Sequence, residues 1–88
     1  MKTIYKYDVP MENHAIILMP EGAMILKVGV QHNKPVLWAL VDPDAPVTDR
    51  IFFVFGTGHS FDLVEPFIYN GTLILHDETF VGHVFEKT

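Results

Sequence analysis

Apolar residues along this chain fall in short runs, each closed by a turn-forming cluster. The clusters are Pro10, Pro20-Glu21-Gly22, Asn33-Lys34-Pro35, Asp42-Pro43-Asp44-Ala45-Pro46, Gly56-Thr57-Gly58, Glu65-Pro66 and Asn70-Gly71. Breakers at that spacing leave no room for long helices and predict short strands joined by turns. Residues 2–9 interleave Ile4, Tyr5 and Tyr7 with Lys and Asp, the pattern of an edge or opening strand. His14 to Met19 is a short apolar strand ended by the Pro-Glu-Gly turn. Across residues 23–31, alternation places Met24, Leu26, Val28 and Val30 on one face and Lys27, Gly29 and Gln31 on the other. Gln31-His32-Asn33-Lys34 is a polar hairpin turn, and Pro35 opens the next strand where no ladder donor is needed. Residues 36–41 and 51–55 are apolar on both faces, so both are expected to be central strands.

Phe67 to Leu75 admits two readings. Asn70-Gly71 is a type I′ hairpin signal, or the segment is one strand with a bulge at Gly71. The short flanking arms favour the single interrupted strand. Thr79 to Glu86 forms the last strand. Helix is confined to a turn at 44–49 or to residues 60–65 after a Ser60 cap. The expected fold is mainly β: a small single-domain barrel or sandwich over residues 1–88. It has about six or seven short antiparallel strands and at most one helical turn.

Composition narrows the function. With 88 residues there is room for one core. The absence of cysteine removes disulfides, thiolate metal sites and cysteine nucleophiles. Apolar residues make up 49% of the chain and seven are Phe, which argues against disorder. So rich a chain is expected to lay some of that surface against another copy of itself, giving a homo-oligomer. The net charge of −5, with one Arg and five Lys, lacks the basic stripe that nucleic-acid binding requires. The N-terminal MKTIYKYDVP has no apolar signal core, and no run approaches the ~20 residues that cross a bilayer. The expected setting is the cytoplasm, with neither nucleic acid nor membrane as partner.

The string GAMILKVGVQHNKPVLWALVDPDAPVTDR, then FGTGH, FIYNGT and the closing GHVFE, resembles a family of short proteins of tailed phages and prophages, a domain of unknown function. The Leu37-Trp38-Ala39-Leu40-Val41-Asp42-Pro43 and Gly56-Thr57-Gly58-His59 segments carry the resemblance, which covers nearly the whole chain. The family pattern often has Cys at position 36 and Trp before the closing His. This chain has Val36 and Gly82, so no role rests on a thiol or an aromatic there. The resemblance implies a phage setting and a common fold, and no activity.

Candidate chemistry is sparse. Gly56-Thr57-Gly58-His59 either turns the chain at a strand end or converges backbone N–H groups into an anion nest, with Thr57 and His59 adding hydrogen bonds. Its spacing is not that of a Walker or Rossmann loop. Arg50 has the fork that grips phosphate or carboxylate, and the simpler reading pairs it with Asp49 or Asp44. It is expected about 20 Å along the strand from Gly56, so a site shared by the two has to form between subunits. Five histidines (14, 32, 59, 76 and 83) show no ligand spacing, so no metal or other cofactor is expected. His83, between apolar neighbours, reads as a satisfied core or interface residue, although a meeting of His59 and His83 stays open as an acid–base pair. Trp38 reads as core beside Leu37 and Ala39. If it faces outward instead, it is a stacking platform for a purine-like base. The acidic Asp42–Asp49 loop reads as a solvated turn.

Two classes of function follow. The first is a non-catalytic, phage-type "sponge" that sequesters a small phosphorylated nucleotide signal, of cyclic or ADP-ribose type, in an inter-subunit pocket. Trp38, Arg50, Gly56, Thr57, Gly58, His59, His83 and Gln31 are its candidate ligand-binding residues, none of them catalytic. The second is a protein–protein module, an inhibitor of a host defence protein or a small virion or regulatory component. A phosphodiester hydrolase ranks third.

Overall fold

A computed structural model describes residues 1–12, 14–62 and 66–88. It contains seven strands: β1 (Thr3–Asp8), β2 (Ala15–Pro20), β3 (Met24–Gln31), β4 (Lys34–Val41), β5 (Val47–Gly56), β6 (Phe67–Leu75) and β7 (Phe80–Lys87). They form a three-stranded sheet in the order β1-β4-β3 and a four-stranded sheet in the order β2-β5-β7-β6, every pairing antiparallel. Of the two architectures expected, barrel or sandwich, it is the sandwich and not a closed barrel. No helix occurs among the described residues. Residues 42–45 form a turn closed by Ala45 N donating to Asp42 O at 3.0 Å, residues 47–49 already belong to β5, and the 60–65 segment runs into residues outside those described.

The two runs apolar on both faces take the internal positions anticipated for them, β4 in one sheet and β5 in the other. The hairpin between β3 and β4 turns on His32 and Asn33, whose φ values of 52° and 59° are those of a type I′ turn. Asp42 caps the next connection, its carboxylate accepting from the Asp44 amide at 3.1 Å. Phe67–Leu75 is one strand, with the ladder interrupted between Tyr69 and Gly71. β5 begins at Val47, so Arg50 lies within the strand and does not precede it.

Leu37, Ala39 and Val41 face Phe52, Val54, Val84, Leu73, Leu75, Ile17 and Met19 across the sheets, and this cluster is the core. One alternation fails. The β3–β4 register slips between Ile25 and Lys27, so Leu26 is bulged out. The bulge reverses the parity of the strand: Ile25 and Val28 point inward, while Met24 and Leu26 are 59% and 46% exposed. The sandwich closes where β3 runs alongside β6.

Candidate functional site

Strand parity settles the position of Trp38. Its neighbours Leu37 and Ala39 are fully buried in the interlayer, so Trp38 projects from the opposite, outer face of the three-stranded sheet and is half-buried there. The expectation of a core indole is thereby corrected: on a half-buried strand only alternate residues reach the core. Lys6 on β1 and Lys27 on β3 both stand directly opposite Trp38 in the register. The indole leans over Gly29, where an added Cβ would fall 2.9 Å from Trp38 Cζ3. Lys6 Nζ donates to Gln31 Oε1 at 2.8 Å, a bridge that spans β4. Val36, on this outer face, is only 2% exposed, in keeping with cover from that bridge and from the indole.

Arg50 shares its face with Phe52 and Ile17 and so points between the sheets. Its partner is neither Asp49 nor Asp44 but Glu86 on β7, 36 residues away. Nε and Nη2 both donate to the Glu86 carboxylate, Nη2 at 2.9 Å, and Nη1 donates to the Ala23 carbonyl at 2.8 Å. The hydrogen bonds that Arg50 donates to Glu86 hold the guanidinium above its ordinary value, against the opposing effect of burial. The pair borders a cavity of about 270 Å³ lined also by Ala23, Met24, Ile25, Ile68 and Asn70. Asn70 Oδ1 is buried without a protein partner. With its fork already on a carboxylate, Arg50 is neutralised within its own chain and is a poor receptor for a further anion.

The Gly56–His59 turn uses two of its amides internally. Thr57 N donates to Val81 O at 3.0 Å and His59 N to Gly56 O at 3.1 Å, with Gly58 at φ +83°. The His59 ring lies on Gly56, where a Cβ would fall 2.6 Å from Nδ1. His83 stands opposite Phe55, whose side chain points away from that of position 56. The two imidazoles therefore occupy opposite sides of β5, which removes the acid–base pairing of His59 with His83. His83 instead joins a polar chain on the outer face of the four-stranded sheet. Its Nε2 is 2.6 Å from Thr57 Oγ1, its Nδ1 is 3.0 Å from Thr72 Oγ1, and Thr72 is bonded to the Tyr69 hydroxyl. A neutral imidazole accepts from one threonine and donates to the other, so both ring nitrogens are satisfied.

Along one chain the candidates thus separate. Trp38 and Gln31 lie outside one sheet, Arg50 between the sheets, and Thr57 and His83 outside the other. One small ligand cannot touch all three groups on a single copy. Among the described residues no three His, Asp or Glu side chains converge as a metal site, and no helix is long and apolar enough to cross a membrane.

The family model for a domain of unknown function, DUF7352, matches residues 1–88. The chain belongs to this family. No curated protein and no solved structure matches this DUF7352 chain.

One surface of the DUF7352 fold escaped sequence reasoning. Phe53 and Phe55 on β5, Phe85 on β7, and Phe67 and Tyr69 on β6 all face outward from the four-stranded sheet. Phe55 stacks on Phe61 at 3.8 Å between centroids, and Phe53 touches Phe67 edge-on at 5.0 Å. The signal was present as aromatic residues repeating every second position. It was hidden because a run apolar on both faces reads as doubly buried.

Proposed function

We propose that this protein is a non-catalytic binding protein for a small anionic ligand of nucleotide type, held on the outer face of the three-stranded sheet. The observation that carries the reading is the outward Trp38 with a lysine opposite it on each neighbouring strand. An indole face stacks on a purine-like base, a contact worth about 1–3 kcal/mol, and two flanking ammonium groups attract phosphate. Gln31 adds an amide at the edge of the platform. The charge balance of the whole chain disfavours nucleic-acid polymers, which leaves free nucleotides. In the phage setting that the sequence resemblance implies, and in the bacterial cytoplasm expected from the N-terminal sequence, such binding withdraws a host nucleotide signal without altering it.

Trp38 is the only tryptophan, so its fluorescence reports stacking directly. Titration with a panel of cyclic and ADP-ribose-type nucleotides is expected to quench it saturably. Ligand released by heating should come back intact. Trp38→Ala, followed by calorimetry, should weaken binding at least tenfold, and rising salt should weaken the wild type. No binding across the panel would leave the protein–protein reading in its place, and an altered ligand would make the protein an enzyme.

Gly29→Ala gives a second handle. The added methyl occupies the seat of the indole, so the expected result is a shifted Trp38 emission maximum and weaker ligand binding in a protein that still folds. An unchanged spectrum would mean that the indole does not rest on Gly29.

A further inference from the structure

We infer that the outer face of the four-stranded sheet is a self-association surface, covered by the same face of a second copy of this chain around a two-fold axis. On this face Ile16, Leu18 and Ile74 are 54%, 58% and 56% exposed, around the rings of Phe53, Phe55, Phe61, Phe67, Tyr69 and Phe85. Four strands about 4.8 Å apart and about eight residues long, at about 3.3 Å each, give a flat patch of about 500 Å². Protruding aromatic and branched side chains raise its accessible area toward the ~800 Å² per partner of a stable interface.

Charge selects the occupant. A two-fold interface sets each patch against its own copy, so any net charge on the patch meets the same sign. The chain as a whole carries −5, yet the centre of this face carries no formal charge. Asp49 and Lys87, of opposite sign, both lie toward one end of it, one opposite Leu18 and the other opposite Phe67. The outer face of the other sheet is unsuited to a copy of itself, because it would bring Lys6 and Lys27 against their equivalents.

The polar groups on the face argue the same way. Both nitrogens of His83 and the Tyr69 hydroxyl are paired within the chain, through Thr57 and Thr72. A polar group facing water needs no such partner. One that is to be buried does, since an unpaired group taken out of water is costly. The chain Thr57–His83–Thr72–Tyr69 lets these four side chains enter a dry contact already paired, while His14, whose ring lies 5.5 Å from that of Phe53, stands at the border of the face beside β2.

Sedimentation velocity and light scattering over a wide concentration range test the proposal. The wild-type protein is expected to run as a dimer. Leu18→Lys on β2 and Ile74→Lys on β6, made separately, should each yield a monomer with an unchanged circular dichroism spectrum. Both positions are exposed, and two variants at opposite edges guard against one that fails to fold. Lys6→Glu on the other face should leave the dimer intact. A wild-type protein that stays monomeric at every concentration would overturn the proposal, as would a folded variant that remains dimeric. Neither lysine variant touches the Trp38 platform, so nucleotide binding is read separately in the same proteins.

Discussion

Replacing Glu86 with Ala lowers the stability of the fold by about 3 kcal/mol, the lower end of the cost of breaking a buried ion pair from one side. The lower end applies because the Arg50 side chain keeps 21% of its surface in water, against 9% for Glu86. The loss comes from the arginine left behind. Its Nε and Nη2 lose their acceptors, and only the Ala23 carbonyl still receives a hydrogen bond from Nη1. Removing both charges, as Arg50→Met with Glu86→Leu, should therefore recover most of the loss, to within about 1 kcal/mol of the wild type. Urea denaturation of the three proteins measures both figures. A cost below about 1 kcal/mol for Glu86→Ala would mean that water screens the pair as it does on a surface.

The pH dependence of the arginine's contribution follows from its shift. Glu86 raises the folded Arg50 above its ordinary value. A group raised on folding contributes fully below its unfolded value and loses that contribution as pH rises through the folded one. The wild-type advantage over Arg50→Met should accordingly not decline from Arg50 deprotonation anywhere below about pH 12.

Gly71→Ala should cost about 3 kcal/mol, combining backbone strain of about 1–3 kcal/mol with overpacking of similar size. Gly71 has φ +149°, a conformation that side-chain-bearing residues rarely adopt. An added Cβ would fall 2.5 Å from Cγ2 of Val28, a buried core residue, where β6 runs alongside β3. The two contributions separate in a double-mutant cycle. Val28→Ala removes the clash but not the strain, so the double variant should be about 1–2 kcal/mol more stable than the sum of the single effects. Additive effects would place the whole cost in the backbone.

Both predictions depend on contacts that no local pattern announces. Arg50 and Glu86 are 36 residues apart, and sequence reasoning gave the arginine to the acidic loop beside it. Asn70-Gly71 was legible as an interruption, and its short arms correctly favoured a single strand. That the interruption serves a close approach to Val28 needed the second sheet. The bulge at Leu26 is a further case. Period-two alternation holds only while the ladder is unbroken, and one extra residue reverses every assignment beyond it.

The sequence by itself determined that this is an all-β chain, where most of its strands lie, and that β4 and β5 are internal, because turn chemistry and apolar runs are local properties. It also carried the membership of a family of unknown function. Tertiary structure alone decided which face of each strand meets the core. Alternation tells which residues share a face; only the opposing sheet tells which face is covered. That choice turned Trp38 outward between two lysines, drew Arg50 inward onto Glu86, and left a row of aromatic residues on the outside of the larger sheet.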